Sequence, residues 1–223
     1  MAAPDKLGII NLALLQLKEK PLTSLEDSDN PTAVVANHFY QQCLDELTQN
    51  HTWNCARART TVTLSTTVTP AFDFVGAYEL PNDCLKIHHV GTENEQWTAD
   101  TKWRHDIEGR HLLYGFEGED APESLQVEYT RSLSDTTKMD ALFVRALRTY
   151  LAQEMAMPIT GDPKIAMLAT QIHTQALREA LAINHQQRMT RVIERNPIAE
   201  ARYTDSVDMW DGQLRVPPEE WPS

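Results

Sequence analysis

Apolar positions recur at three-and-four spacing in four stretches of this chain, and at period two in a stretch between them. From Asp140 to about Met189 the pattern is that of two long amphipathic helices. Phe143, Ala146, Leu147, Tyr150 and Leu151 form the first apolar stripe, with Ala152 and Ala156 as small flanking positions. Ile165, Leu168, Ala169, Ile172, Ala176, Ala180 and Ile183 form the second. Pro158 lacks an N–H and clashes with the preceding turn, so it predicts the end of the first helix. Asp162-Pro163 restarts the chain as an N-cap residue followed by proline at the first helical position. So short a break predicts an antiparallel pair. Two helices cannot close a core alone, so something earlier in the chain must cover them.

The cover comes from the N-terminal segment. Pro4 to about Glu19 reads as a helix with Leu7, Ile10, Leu14 and Leu17 on one face, widened by Ile9, Leu12 and Leu15. So broad an apolar surface predicts burial on more than one side, or against a neighbouring subunit. Pro21 is its expected terminator. After a polar, acidic loop, Asn30-Pro31 repeats the cap-then-proline signal. The second helix runs to about Gln49, with Ala33, Ala36, Phe39, Tyr40, Cys43, Leu44 and Leu47 as its stripe.

Residues 60–133 change period. Val62, Leu64 and Val68 alternate with threonines, as in a half-buried strand. Tyr78 and Leu80 precede the turn signal Pro81-Asn82-Asp83. Leu85, Ile87 and Val90 come next, then short segments at 95–98 and 103–107. Glu108-Gly109 turns the chain into 110–114, and Leu125, Val127 and Tyr129 alternate again. Five or six short, closely joined strands predict a mostly antiparallel lobe. The fold expected is therefore α+β. An antiparallel bundle of about four helices carries an inserted β lobe and an extended C-terminal arm. The segments are 1–59 (helical hairpin), 60–133 (β lobe), 134–189 (helical pair) and 190–223 (arm).

The arm has no core-forming pattern. Arg188, Arg191, Arg195 and Arg202 give a basic patch diluted by Glu194 and Glu200, and Pro197 breaks any continuing helix. Beyond Tyr203 the chain is acidic and holds Trp210 and Trp221, and it cannot fold by itself. Large aromatics in such a segment fit a partner that receives them. Arg191, Arg195, Arg202, Tyr203, Trp210 and Trp221 are accordingly the expected docking residues. Trp53, Arg57 and Arg59 mark a hinge where the second helix feeds the first strand. There Trp53 plugs the end of the bundle and the arginines lead outward.

Composition narrows the function classes. The 223 residues are 23% charged and 41% hydrophobic, as expected of a globular chain. No apolar run approaches the roughly 20 residues of a membrane span, and no basic-then-apolar leader opens the chain. The three cysteines, Cys43, Cys55 and Cys84, have neither disulfide-framework nor zinc-ligand spacing. A net charge of −12 repels nucleic acid over most of the surface. There is no phosphate-binding glycine-lysine loop, dinucleotide fingerprint, zinc-protease helix or serine elbow. His88, His89, His105 and His111 share the β region without metal-site spacing. Asp106, Glu108, Glu117, Glu119, Asp120, Glu123 and Glu128 read as a solvated acidic edge that discourages unwanted strand pairing. No catalytic, cofactor or metal residue is assigned.

Four segments nevertheless resemble, in order, the tail tubular protein A family, the adaptors between portal and tail in short-tailed phages. His51-Thr52-Trp53-Asn54-Cys55-Ala56-Arg57-Ala58-Arg59 resembles its "HPWNFA-x-x-R" segment, with Thr52 and Cys55 in place of proline and phenylalanine. Leu17 to Asp27 is similar to "LG-x-x-PI-x-SL-x-D", with Lys18 in place of glycine. Residues 78–87 are similar to "Y-x-LP-x-DCLR-V", and residues 151–160 to "LAA-x-LA-x-P-IT". The resemblance spans roughly residues 5–185. It implies a dodecameric ring of this chain beneath the portal protein, at the head–tail junction of a virion assembled in the host cytoplasm. Such a ring extends the DNA channel without binding DNA specifically. It presents a platform to the tail nozzle or tube protein and the tail fibres, and its C-terminal arm grips the portal. Three other readings stay open. One is a long-tailed phage head-completion protein. A second is a tail-associated cell-wall hydrolase using lobe carboxylates such as Glu117 and Glu119. The last is a small DNA-binding module using Arg191, Arg195 and Arg202.

Overall fold

The computed structural model describes residues 4–92, 105–115 and 120–187. The expected segments at 95–98 and 103–104, the carboxylates Glu117 and Glu119, and the whole arm with Arg191, Arg195, Arg202, Tyr203, Trp210 and Trp221 lie outside these residues. The chain divides into two units, 1–187 and 188–223, and only the first is described. It is α+β.

The described residues hold four α-helices. They are α1 (Lys6–Gln16), α2 (Pro31–Asn50), α3 (Ala141–Thr160) and α4 (Pro163–Gln186). Each starts on the cap chemistry its sequence offers. Asn30 accepts from the Thr32 N–H at 3.0 Å, Asp140 from Phe143 at 2.7 Å, and Asp162 from Lys164 at 2.8 Å. Each such bond satisfies one of the orphan donors of a first turn. Asp5 caps α1 in the same way, accepting from Gly8 at 2.8 Å.

Two helix ends differ from expectation. Helix α1 stops at Leu17, well before Pro21, because Lys18 turns left-handed at φ 64°. The Lys18 N–H donates to the Leu15 carbonyl at 3.1 Å and the Glu19 N–H to Leu14 at 2.9 Å, the paired bonds of a Schellman cap. Helix α3 runs through Pro158 to Thr160. Pro158 sits in the final turn, where its missing N–H costs one intrahelical bond, and the ring does not end the helix. The terminator is Gly161, at φ 64°, whose N–H donates to the Met157 carbonyl at 3.0 Å.

Helix α3 is the centre of the bundle, and α1, α2 and α4 all pack on it. Its buried positions therefore run almost round the helix: Phe143, Val144, Ala146, Leu147, Thr149, Leu151, Ala152, Met155 and Ala156. Helix α4 departs from its expected stripe. Ala169, His173, Ala176, Ala180 and Asn184 face α3, while Leu168, Ile172 and Ile183 stay exposed at 55%, 37% and 41%. Three of these inward positions are alanines, which let helix axes approach closely, and Ile165, Leu177 and Leu181 flank them against the bundle core. Turning Leu168 and Ile172 inward would hold α4 away from α3.

The lobe holds six described strands. They are β1 (Arg57–Thr63), β2 (Gly76–Glu79), β3 (Cys84–Gly91), β4 (His105–Glu108), β5 (His111–Tyr114) and β6 (Ser124–Arg131). They form two antiparallel sheets, β1-β6-β3 and β2-β5-β4, joined by a bridge between Leu64 and Tyr78. Val68 lies beyond β1, in the loop to β2. Val62, Tyr78, Val90, Leu112, Tyr114, Leu125, Val127 and Tyr129 fill a core of their own. The bundle core is separate and larger. Gln49 and Asp45 of α2 tie lobe to bundle, through the Leu85 carbonyl at 3.3 Å and the Ser132 hydroxyl at 2.9 Å.

Candidate functional site

Buried polar side chains, Asn184 and Glu128 among them, lie close to where the chain passes from bundle to lobe. Trp53 is fully buried. Its ring stands edge-on to Phe143 of α3 with centroids 5.1 Å apart, and its Nε1–H donates to the Leu47 carbonyl at 2.9 Å. A large ring with a satisfied polar handle closes the end of the bundle core. A 3-10 turn at Asn54–Ala56 then delivers the chain to β1.

Asn184, 2% exposed at the end of α4, locks this joint. Its Oδ1 accepts from the Asn54 N–H at 3.0 Å, its Nδ2 donates to the Thr52 carbonyl at 2.8 Å, and its carbonyl accepts from Asn54 Nδ2 at 2.8 Å. The sequence reading missed Asn184. Its signal was a lone amide at the last buried turn of an otherwise apolar stripe, with a second amide, Asn54, beside Trp53.

Arg57 and Arg59 lie in β1 itself, on the face of the sheet away from the lobe core. Both converge on Glu128 of β6. Arg57 pairs with Glu128 Oε1, and Arg59 Nε stands 3.4 Å from Oε2. Glu128 is 1% exposed. A carboxylate this deeply buried requires cations at hand. Beside it the His88 ring bonds the buried Thr130 hydroxyl at 2.7 Å. Among the other described lobe carboxylates, Asp106, Glu108, Asp120 and Glu123 are exposed. Among the described residues no three metal-ligating side chains come together.

A second polar cluster sits between α2, α3 and α4. His173 Nδ1 lies 3.1 Å from Thr149 Oγ1, and its ring stacks on Tyr150 with centroids 5.0 Å apart. The Tyr150 hydroxyl donates to Glu46 Oε2 at 2.6 Å. That bond, with one from Gln42, holds the Glu46 carboxyl below its usual range. Burial, with His51 nearby, lowers the pKa of His173. Burial also pushes the Cys55 thiol up to about 11, so Cys55 is an inert core thiol at neutral pH.

Chemically, these clusters position elements. No family model and no curated protein matches this chain. No described helix is long and apolar enough to cross a membrane.

Proposed function

We propose that this chain is a structural phage adaptor, the repeating subunit of a head-to-tail connector ring. The ring binds beneath the portal, extends the DNA channel and offers the tail its platform. It performs no catalysis, and the arm that holds Arg191, Arg195, Arg202, Tyr203, Trp210 and Trp221 docks on the portal.

One observation carries the reading. Three of the four segments that resemble the adaptor family fall on joints of the fold. Residues 17–27 link α1 to α2, 51–59 link α2 to β1, and 78–87 span the β2–β3 turn, while 151–160 form the C-terminal half of α3. Joints are where backbone geometry dictates residue type most strongly. The family pattern has glycine where this chain has Lys18, and Lys18 holds the left-handed conformation glycine adopts without strain.

The test is the location of the chain. Particles carrying a tagged copy should show the tag at the head–tail junction, with the portal co-purifying. Mature particles that lack this polypeptide, or carry it elsewhere, overturn the proposal.

A further inference from the structure

The end of α2, the end of α4 and strand β3 meet at one seam, and three basic side chains mark it. His51 is the C-cap of α2 and is half-buried. Its ring stands edge-on to the buried Trp53, with centroids 6.3 Å apart. Lys86 of β3 and His185 of α4 both lie within electrostatic reach of His51, and His173, farther back along α4, feels the His51 charge as well. The carboxylates closest along the chain are engaged elsewhere. Asp45 accepts from the Ser132 hydroxyl at 2.9 Å, Glu46 from Tyr150 at 2.6 Å, Asp83 from Tyr129 at 3.2 Å, and Asp140 from the Phe143 N–H at 2.7 Å. Among the described residues, the groups that bear on the His51 charge are therefore cationic.

Neutral His51 suits this seam and protonated His51 does not. Burial, reinforced by Lys86 and His185, holds its pKa below the usual 6.5. The indole offers little in return, since 6.3 Å is beyond the roughly 6 Å at which a ring face holds a cation. The seam itself is closed by the three neutral hydrogen bonds of Asn184 to Thr52 and Asn54, the residues that directly follow His51. The lobe has separate ties to α2, through Gln49 and Asp45, that do not involve α4. We infer that this seam is an acid-sensitive latch: protonation of His51 releases the last turn of α4 from residues 52–54, while the lobe stays tied to α2. His51 binds a proton more readily in the open seam than in the closed one. Closure is thus complete above about pH 6.5 and is lost as the pH falls.

Hydrogen exchange of the full-length chain between pH 7.5 and 5.5 reads the latch, with each rate expressed as protection against the unstructured rate at that pH. The reporters are the Asn54 N–H, which donates to Asn184, and the amides of residues 181–187. Residues 143–156 of α3 report global unfolding. The reporters should be less protected than α3 throughout, and their protection should fall at least about threefold over this range, one proton allowing no more than about tenfold per pH unit. His51→Gln should abolish the fall. Lys86→Glu, at an exposed position, sets an anion facing the imidazolium and should cut the fall by about half or more with His51 still present. His173→Gln should leave it in place. The latch is overturned if the reporters keep their protection at pH 5.5, if they match α3 at every pH, or if Lys86→Glu leaves the fall intact. It is equally overturned by a full fall in a His51→Gln chain that retains wild-type protection at pH 7.5. If that variant has already lost the protection at pH 7.5, Lys86→Glu decides.

Discussion

Lys18 gives the sharpest test of how this backbone is built. Its φ of 64° places an L-residue with a Cβ in the left-handed region, which costs about 1–2 kcal/mol because Cβ crowds the following carbonyl. The side chain is exposed, so little packing offsets that cost. Glycine removes the strain but loses more backbone entropy on folding, about 0.5–1 kcal/mol. The net expectation is that glycine exceeds alanine at position 18 by about 0.5–1 kcal/mol. Comparing Lys18→Gly with Lys18→Ala isolates this term. Both variants remove the same charge at a helix C-terminus, which is itself stabilising there. The measurement is urea unfolding of both variants, read as a shift in midpoint at constant slope. Lys18→Ala matching or exceeding Lys18→Gly would refute the left-handed cap at the end of α1.

Three further outcomes concern the joint and the bundle. Trp53→Ala should cost about 3–5 kcal/mol, read by urea unfolding, because it empties the end of the bundle core and strips the Leu47 carbonyl of its donor. Arg57→Ala should cost on the order of 3 kcal/mol by leaving Glu128 buried with one cation fewer. Adding Glu128→Gln to Arg57→Ala should recover part of that loss, so a double-mutant cycle with no coupling contradicts the pairing. His173 binds a proton less readily folded than unfolded, since burial lowers its pKa from 6.5. Acidification therefore favours the unfolded chain. The His173 contribution is complete above about pH 6.5 and is lost as the pH falls below it. The urea midpoint should drop as the pH falls below about 6.5, and His173→Gln should reduce that drop, the rest belonging to His51 and His105, whose pKa values burial also lowers.

Much of the framework was legible from residue order. Asn30-Pro31 and Asp162-Pro163 each set a short polar acceptor before a proline, and Asp140 stands at the head of an apolar run. Each of the three caps a helix where local chemistry demands. The period-two pattern of Leu125, Val127 and Tyr129 put three side chains on one face of β6, and all three entered the lobe core. These features depend on neighbours a few residues apart, which sequence spacing specifies directly. Other features depended on contacts between distant parts of the chain. Pro158 was tolerated because it fell in a last turn, and that turn ended where Gly161 could go left-handed. The inward face of α4 was decided by α3. A helix already surrounded on its other sides takes α4 along Ala169, Ala176 and Ala180, with Ile165, Leu177 and Leu181 flanking them, and Leu168 and Ile172 were turned out. Asn184 at the joint, and Glu128 beneath Arg57 and Arg59, came together across roughly 70 to 130 residues of chain. Periodicity identifies the side chains that share a face. Which of a helix's faces turns inward depends on the space its neighbours leave, and only the packed tertiary structure defines that space.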